Sequence, residues 1–234
     1  MMGFTFRGIH TSEYDGLVVK TIANPLLPVK RIQRINVMGY DGEYIFESGY
    51  NNKLLEFRCS LAKGTINERR QRAREIASWF LETGDLVLDY ENNKTYKVVK
   101  TVSDIALAIE QAWDEFNIIF ETEPFQYSGL KTLSFDNPYT VVVNNQGTYE
   151  AETLISITGT GSLTVASGDY SFTLTGMTGK LNVDSRRMIV YTDAKVNEIL
   201  KHSGIFIRLK PGNNTITVTG SVSNMTVKFH DTYI

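Results

Sequence analysis

Cysteine is all but missing: Cys59 is the only one in 234 residues. No disulfide can form within the chain, and a thiolate zinc site lacks its ligands. A surplus of one charge is missing too. The 24 Lys and Arg against 26 Asp and Glu leave -2, which supplies no overall field for capturing nucleic acid or an anionic membrane. No apolar stretch runs uninterrupted for about 18 residues, and the start has no basic segment leading into an apolar run. The expectation is a protein neither conventionally secreted nor membrane-spanning. Hydrophobic residues at 42% and aromatics at 11% exclude a disordered chain. The length suits one large domain or two modest ones.

The residue sets of catalysis are also absent. His10, His202 and His230 lie far apart, and none has a partner at the spacing of a helical zinc motif. All three are expected to be structural or surface residues. Gly176-Met-Thr-Gly179-Lys180 imitates a phosphate loop, but Leu181 stands where Ser or Thr would bind magnesium, so a hairpin turn is expected. No Gly-x-Ser-x-Gly elbow occurs, and Cys59 shares a strand face with Phe57, as a buried inert thiol would. A glycosidase pair could be drawn only from Asp184, Asp193 and Glu198, whose separation sequence does not show. Arg69, Arg70, Arg72 and Arg74 form the densest basic run, interleaved with Glu68 and Glu75. Mixed signs point to a solvated helix face. The chain is therefore expected not to be an enzyme, with no catalytic residue, no metal site and no cofactor.

What is present divides after Leu130. The first 130 residues carry 15 basic and 18 acidic groups and 8 threonines; the last 104 carry 9, 8 and 16. Threonine is β-branched and suits pleated surfaces, so the C-terminal segment reads as sheet with little or no helix. Domains of 1–130 and 131–234 follow.

In the N-terminal segment a single helix is expected over 67–81. Asn67 is its N-cap, Ala73, Ile76, Ala77, Phe80 and Leu81 its apolar stripe, and Gly84 its left-handed C-cap. Strands are expected at 4–7, 17–22, 30–37, 54–60, 86–90, 95–102 and 115–121, with turns at Tyr14-Asp15-Gly16, Asp41-Gly42 and Asn92-Asn93. Residues 105–113 suit helix or hairpin. The C-terminal segment has turn signals at 144–147, 159–161, 167–169, 176–179, 211–214 and 220. Between them, alternating runs at 154–158, 170–175, 180–183, 187–191, 205–209, 215–219 and 225–229 predict an antiparallel β-sandwich.

A resemblance spans nearly the whole chain. In the N-terminal segment it is carried by Phe4-x-Phe6-x-Gly8, Pro28-x-Lys30-Arg31, Gly39-Tyr40-Asp41-Gly42-Glu43-Tyr44, Trp79-Phe80-Leu81 before Gly84, and Phe120-Glu-Thr-Glu-Pro124-Phe125-x-Tyr127. In the C-terminal segment it is carried by Val143-Asn-Asn145-x-Gly147-Thr148-x-x-Ala151, Ile157-x-Gly159-x-Gly161, Leu181-Asn-Val-Asp184 and Leu209-Lys-Pro211-Gly212-Asn213-Asn214-x-Ile216. In this order they resemble the distal tail proteins of bacteriophages with long, non-contractile tails. Thr153 departs from the pattern, standing where that family often has proline, and is expected to loosen the start of its strand.

The resemblance implies a mainly β protein: an N-terminal β-rich domain with one helix that builds a ring of six copies, and a C-terminal galectin-like antiparallel β-sandwich that projects outward. It implies a virion hub at the tail tip, assembled in the bacterial host cytoplasm. Its partners would be its own copies, the tail tube protein, a tail-associated tip protein and receptor-binding or adsorption proteins. Genome DNA would pass through the lumen without sequence-specific binding, and no membrane would be contacted. The alternative is a carbohydrate-binding β-sandwich for host cell-wall attachment, suggested by Tyr139, Tyr149, Tyr170 and Tyr191, since aromatic faces stack on sugars.

Overall fold

The computed structural model describes residues 2–102, 108–109 and 113–234. It divides into two units, Met1–Gln126 with Ile234, and Tyr127–Tyr233. Both are built from antiparallel strands, the arrangement expected of the C-terminal segment from its composition and turn spacing. Among the described residues no helix is long and apolar enough to cross a membrane.

The first unit contains β1 (Phe4–Phe6), β2 (Ile9–His10), β3 (Leu17–Ala23), β4 (Lys30–Ile35), β5 (Tyr44–Tyr50), β6 (Lys53–Ala62), α1 (Ile66–Trp79), β7 (Gly84–Leu88), β8 (Thr95–Thr101), β9 (Ala108–Ile109) and most of β10 (Trp113–Tyr127). Its main sheet runs β2-β1-β7-β8-β10-β6-β3, with β9 also on β10, while β4 and β5 form a separate two-stranded sheet. Alternation sets the faces: in β6, Leu55, Phe57, Cys59 and Leu61 are fully buried, whereas Leu54, Glu56 and Arg58 face out. In the same core lie Phe4, Phe6, Phe120, the helix residues Ala73, Ile76 and Trp79, and Phe80 just after the helix. Phe4 meets Phe57 tilted at 4.6 Å and Phe120 edge-on at 5.9 Å, while it stacks on Trp79 at 5.8 Å, all geometries that aromatic quadrupoles favour. Trp79 satisfies its one polar atom by donating Nε1–H to the carbonyl of Phe6 at 3.1 Å.

The helix differs from expectation at both ends. Its N-cap is Thr65, not Asn67. The Thr65 hydroxyl accepts from the Glu68 amide, and the Glu68 carboxylate accepts from the Thr65 amide at 2.7 Å. This is a capping box, spelled Thr-x-x-Glu. The helix ends at Trp79 with Phe80 as C-cap. Leu81 is exposed instead of joining the apolar stripe, and Gly84 opens β7 instead of capping. Residues 105–113, open between helix and hairpin in sequence, lie largely outside the described residues.

The second unit contains β11 (Lys131–Asp136), β12 (Thr140–Asn145), β13 (Ala151–Ser167), β14 (Tyr170–Asp184), β15 (Ile189–Tyr191), β16 (His202–Gly204), β17 (Arg208–Leu209), β18 (Gly212–Phe229) and β19 (Thr232–Tyr233). The order is β11-β18-β13-β14-β15, with β12 on β18, β16 on β14 and β17 on β13. Several expected turns are not turns. Gly159-Thr-Gly161, Gly176 to Gly179 and Gly220 lie inside the long strands β13, β14 and β18, where register shifts mark bulges. The glycines permit a bend that a side chain would block: a Cβ on Gly220, at φ +114°, would meet the Ser162 carbonyl oxygen at 2.6 Å. Bent in this way, the two halves of each long strand contribute to one core, Ile155, Ile157, Met225 and Val227 from one half and Leu163, Val165 and Val218 from the other. The expected sandwich is thus made largely from one sheet doubled over.

Thr153 is not loosely held. Its amide donates to the Ser185 hydroxyl at 2.6 Å and its own hydroxyl donates to the Ile207 carbonyl at 2.8 Å. Proline has no amide proton with which to make the first bond.

Candidate assembly interface

The sequence between β3 and β6 is rich in apolar residues, yet the fold buries almost none of them. Every residue of β4 is exposed, and in β5 only Tyr50 is partly covered. The strands pair antiparallel through Ile32↔Glu47, Gln33↔Phe46, Arg34↔Ile45 and Ile35↔Tyr44. Period-two alternation then gives the hairpin two unlike faces. One carries Ile32, Arg34, Ile45 and Glu47, laced by Lys30–Glu47 at 2.7 Å and Arg34–Glu43 at 3.1 Å. The other carries Gln33, Ile35, Tyr44 and Phe46, with Tyr40 stacked on Tyr44 at 4.8 Å. The connecting and flanking segments add Leu26, Leu27, Val29 and Met38, all at least 69% exposed. At the root, the Asn51 amide donates to the Val29 carbonyl at 2.8 Å, and Tyr50 meets Phe125 edge-on at 5.5 Å.

A two-stranded hairpin is at best marginally stable alone in water, and exposed ion pairs contribute about 0–1 kcal/mol. A contiguous exposed apolar surface with open strand edges marks an interaction site. The hairpin is therefore the candidate functional element. Its second strand, β5, is absent from the strands expected from sequence. The Asp41-Gly42 turn was the signal that could have found it.

A second surface lies on the outward face of the main sheet. There Glu115 accepts from Lys20 and from Arg58, the latter at 2.7 Å, and both bonds hold its carboxyl below the usual range. Asn117 donates to Glu56 at 2.9 Å. Between these strands an open depression of about 620 Å³ is lined by Thr21, Ala23, Glu56, Arg58, Glu115 and Asn117.

The residues singled out in sequence are used locally. His10 bonds Asp89 at 3.1 Å and Ser12 at 2.7 Å, His202 lies between Phe172 and Phe206, and His230 Nδ1 lies 2.7 Å from the Ser128 carbonyl. Cys59 is buried, and burial pushes its thiol up to about 12, which leaves almost no thiolate at neutral pH. Gly176, Gly179 and Lys180 belong to β14, and Lys180 pairs with Asp193 at 3.1 Å. Asp184 accepts from the amides of Arg186 and Arg187, and Glu198 pairs with Lys201 at 3.0 Å. Among the described residues no group of three or more His, Cys, Asp or Glu is arranged to hold a metal. Of the four tyrosines, Tyr139 is 79% exposed. Tyr170 donates to Glu150 at 2.8 Å, which with burial raises it to about 12, and Tyr191 lies under the Lys195 ammonium at 4.6 Å.

The basic run requires a correction. Arg70 and Arg74 are exposed, but Arg69 is buried, its Nε 3.0 Å from Asp114, itself buried. Arg72 donates to the carbonyls of Asp15 at 2.6 Å and Lys63 at 2.8 Å. Half of the expected solvated face is structural.

Comparison with known proteins shows what the chain is similar to. Residues 12–122, slightly under half of the chain, match the family described as phage tail protein RIFT-related domain, a span that includes the hairpin and α1. Over its full length the fold is that of a solved phage protein, SPP1 Dit (gp 19.1), described as a paradigm of the hub adsorption apparatus in phages infecting Gram-positive bacteria. The two are 15% identical, the alignment covers 100% of both chains, and the TM-score is 0.78. The phage P2 baseplate in its activated conformation also aligns, at 8% identity and TM-score 0.47 over 98% of both chains, too weakly to carry argument. No curated protein matches the chain. The resemblance to phage distal tail proteins read from the sequence therefore stands.

Proposed function

We propose that this protein is a structural component at the distal end of a long, non-contractile phage tail, where six copies form a ring that joins the tail tube to the adsorption apparatus. The observation that carries the reading is the hairpin β4–β5, exposed on both faces with Ile35, Tyr44, Ile45 and Phe46 uncovered. A closed ring needs heterologous contacts, one patch meeting a different patch of the next copy. An apolar arm lying on a neighbour is one such patch. The first unit, which matches the tail-protein family, builds the ring in this reading, and the second projects outward toward adsorption proteins. DNA passes through the lumen without base-specific contact, consistent with the absence of a basic surplus. The work is assembly, not catalysis.

Light scattering over rising concentration, with negative-stain imaging, tests the reading. Six-fold rings, or oligomers on the way to them, are expected from the full chain. A two-fold dimer unchanged at every concentration would sink it. Tyr44→Ser with Phe46→Ser is expected to abolish rings while leaving a folded monomer.

A further inference from the structure

Among the described residues, β4 and β5 pair with each other and with no further strand, so each keeps an outer edge unused. Such an edge presents a row of N–H and C=O groups that can take another strand. The two edges are unlike. β4 reads Lys-Arg-Ile-Gln-Arg-Ile, with three cations and no acid. β5 reads Tyr-Ile-Phe-Glu-Ser-Gly-Tyr, whose only charged residue is Glu47, and Glu43 stands just before it. Near the root a bulge sets Ser48 and Gly49 opposite Arg31, with Gly49 at φ +98°. Tyr44 to Glu47 is therefore the regular part of the β5 edge.

The ends of the main sheet are poorer templates. β2 has two residues. β3 is longer, but its register with β6 shifts at Lys20, whose ammonium is held by Glu115. A bulge and a lysine are devices by which edge strands refuse partners. The cations of β4 guard it in the same way against all but an acidic partner. Pairing β4 with β4 would bring Lys30, Arg31 and Arg34 of two copies together, and pairing β5 with β5 would do the same for Glu43 and Glu47. Like charges on facing strands are destabilising. Pairing β5 with β4 sets acid beside base, as already happens inside the hairpin at Lys30–Glu47 and Arg34–Glu43.

We infer that the β5 edge of one copy takes β4 of a second copy as its next antiparallel strand. The occupant is the hairpin of an identical chain, entering by its cationic edge. Because the two edges differ, the contact is heterologous: each copy offers β5 on one side and β4 on the other, and repetition around a closed ring leaves no hairpin edge unpaired. Side chains follow the backbone. Ile35, Tyr44 and Phe46 lie on one face and meet their counterparts across the joint. The inference rests on reading the hairpin as the assembly element, and it names what the arm lies on.

Copies carrying one added thiol each test it, since Cys59 is buried. Gln33→Cys or Ile35→Cys is mixed with Tyr44→Cys or Phe46→Cys to probe one face, and Ile32→Cys or Arg34→Cys with Ile45→Cys or Glu47→Cys to probe the other. Oxidation at concentrations where light scattering shows assembly should give disulfide-linked pairs in mixtures for both faces and none from any variant alone. In the wild type, the amides of residues 44–47 should exchange about tenfold more slowly in the assembly than in the dilute monomer. Pairs from one face only mean hairpins stacked face to face, and overturn the inference. So do pairs from Phe46→Cys alone, the mark of a two-fold β5–β5 contact, or protection of 44–47 with no link to β4. Rings that form without links or protection overturn the pairing and leave the hub reading intact, whereas a chain monomeric at every concentration overturns both.

Discussion

Arg69 belongs to a basic run, yet its guanidinium is sealed against Asp114 beneath the first turn of α1. Removing one partner of such a pair leaves a buried charge uncompensated, which typically costs about 3–5 kcal/mol. Arg69→Met is accordingly expected to lower unfolding stability in urea by that order, and Arg69→Met with Asp114→Leu by clearly less. His202 poses the opposite case, a titratable ring kept apolar. It stacks on Phe206 at 4.2 Å, its Nε2 is buried without a partner among the described residues, and burial lowers its pKa below the ordinary 6.5. Above pH 6.5 both folded and unfolded chains hold it neutral, so stability is unaffected there. As pH falls through 6.5 the unfolded chain takes up the proton first, and the folded state loses stability until its own lower pKa is reached. The unfolding midpoint should therefore fall between about pH 7 and pH 5 more steeply in the wild type than in His202→Phe.

At the scale of elements, the capping box and the bent strands are where single changes act most. Thr65→Ala removes the hydroxyl that accepts the Glu68 amide and should lower stability by about 1 kcal/mol, read from the urea midpoint. Gly220→Ala forces a Cβ against the Ser162 carbonyl at a positive φ, and a drop in the melting temperature is expected. The hairpin should behave differently. Its side chains contact solvent, so Tyr44→Ser with Phe46→Ser should change monomer stability by no more than about 0.5 kcal/mol while abolishing assembly. Loss of both fold and assembly together would show that the hairpin serves its own unit.

For the whole molecule, the expectation is a division of labour: the first unit assembles and the second folds as a monomer. The cut belongs after Gln126, where the two units meet in sequence. A cut after Leu130 would take Ser128 from the second unit, where its carbonyl binds His230 and its hydroxyl accepts from the Asp231 amide at 2.9 Å. Once both fragments show cooperative melting, residues 1–126 should form rings on their own and residues 127–234 should not. Rings from the second fragment would place assembly in the other unit.

The β class, the helix α1 and the sheet faces were legible because they depend on short-range periodicity. Leu55, Phe57 and Cys59 lie on one face in any strand of that register, and Ala73 and Ile76 on one face of any helix. The change in threonine content likewise announced a second, sheet-built segment. What only tertiary structure decided depends on contacts distant in sequence. Arg69 is buried because Asp114 reaches it from β10, which no local pattern records. Gly159, Gly161 and Gly220 look like turn residues, but long-range pairing keeps the strands continuous through them and turns their freedom into a bend. The hairpin is the clearest instance. Its apolar residues read locally as core, and they remain exposed because the chain closes its own core without them, leaving Tyr44 and Phe46 facing solvent.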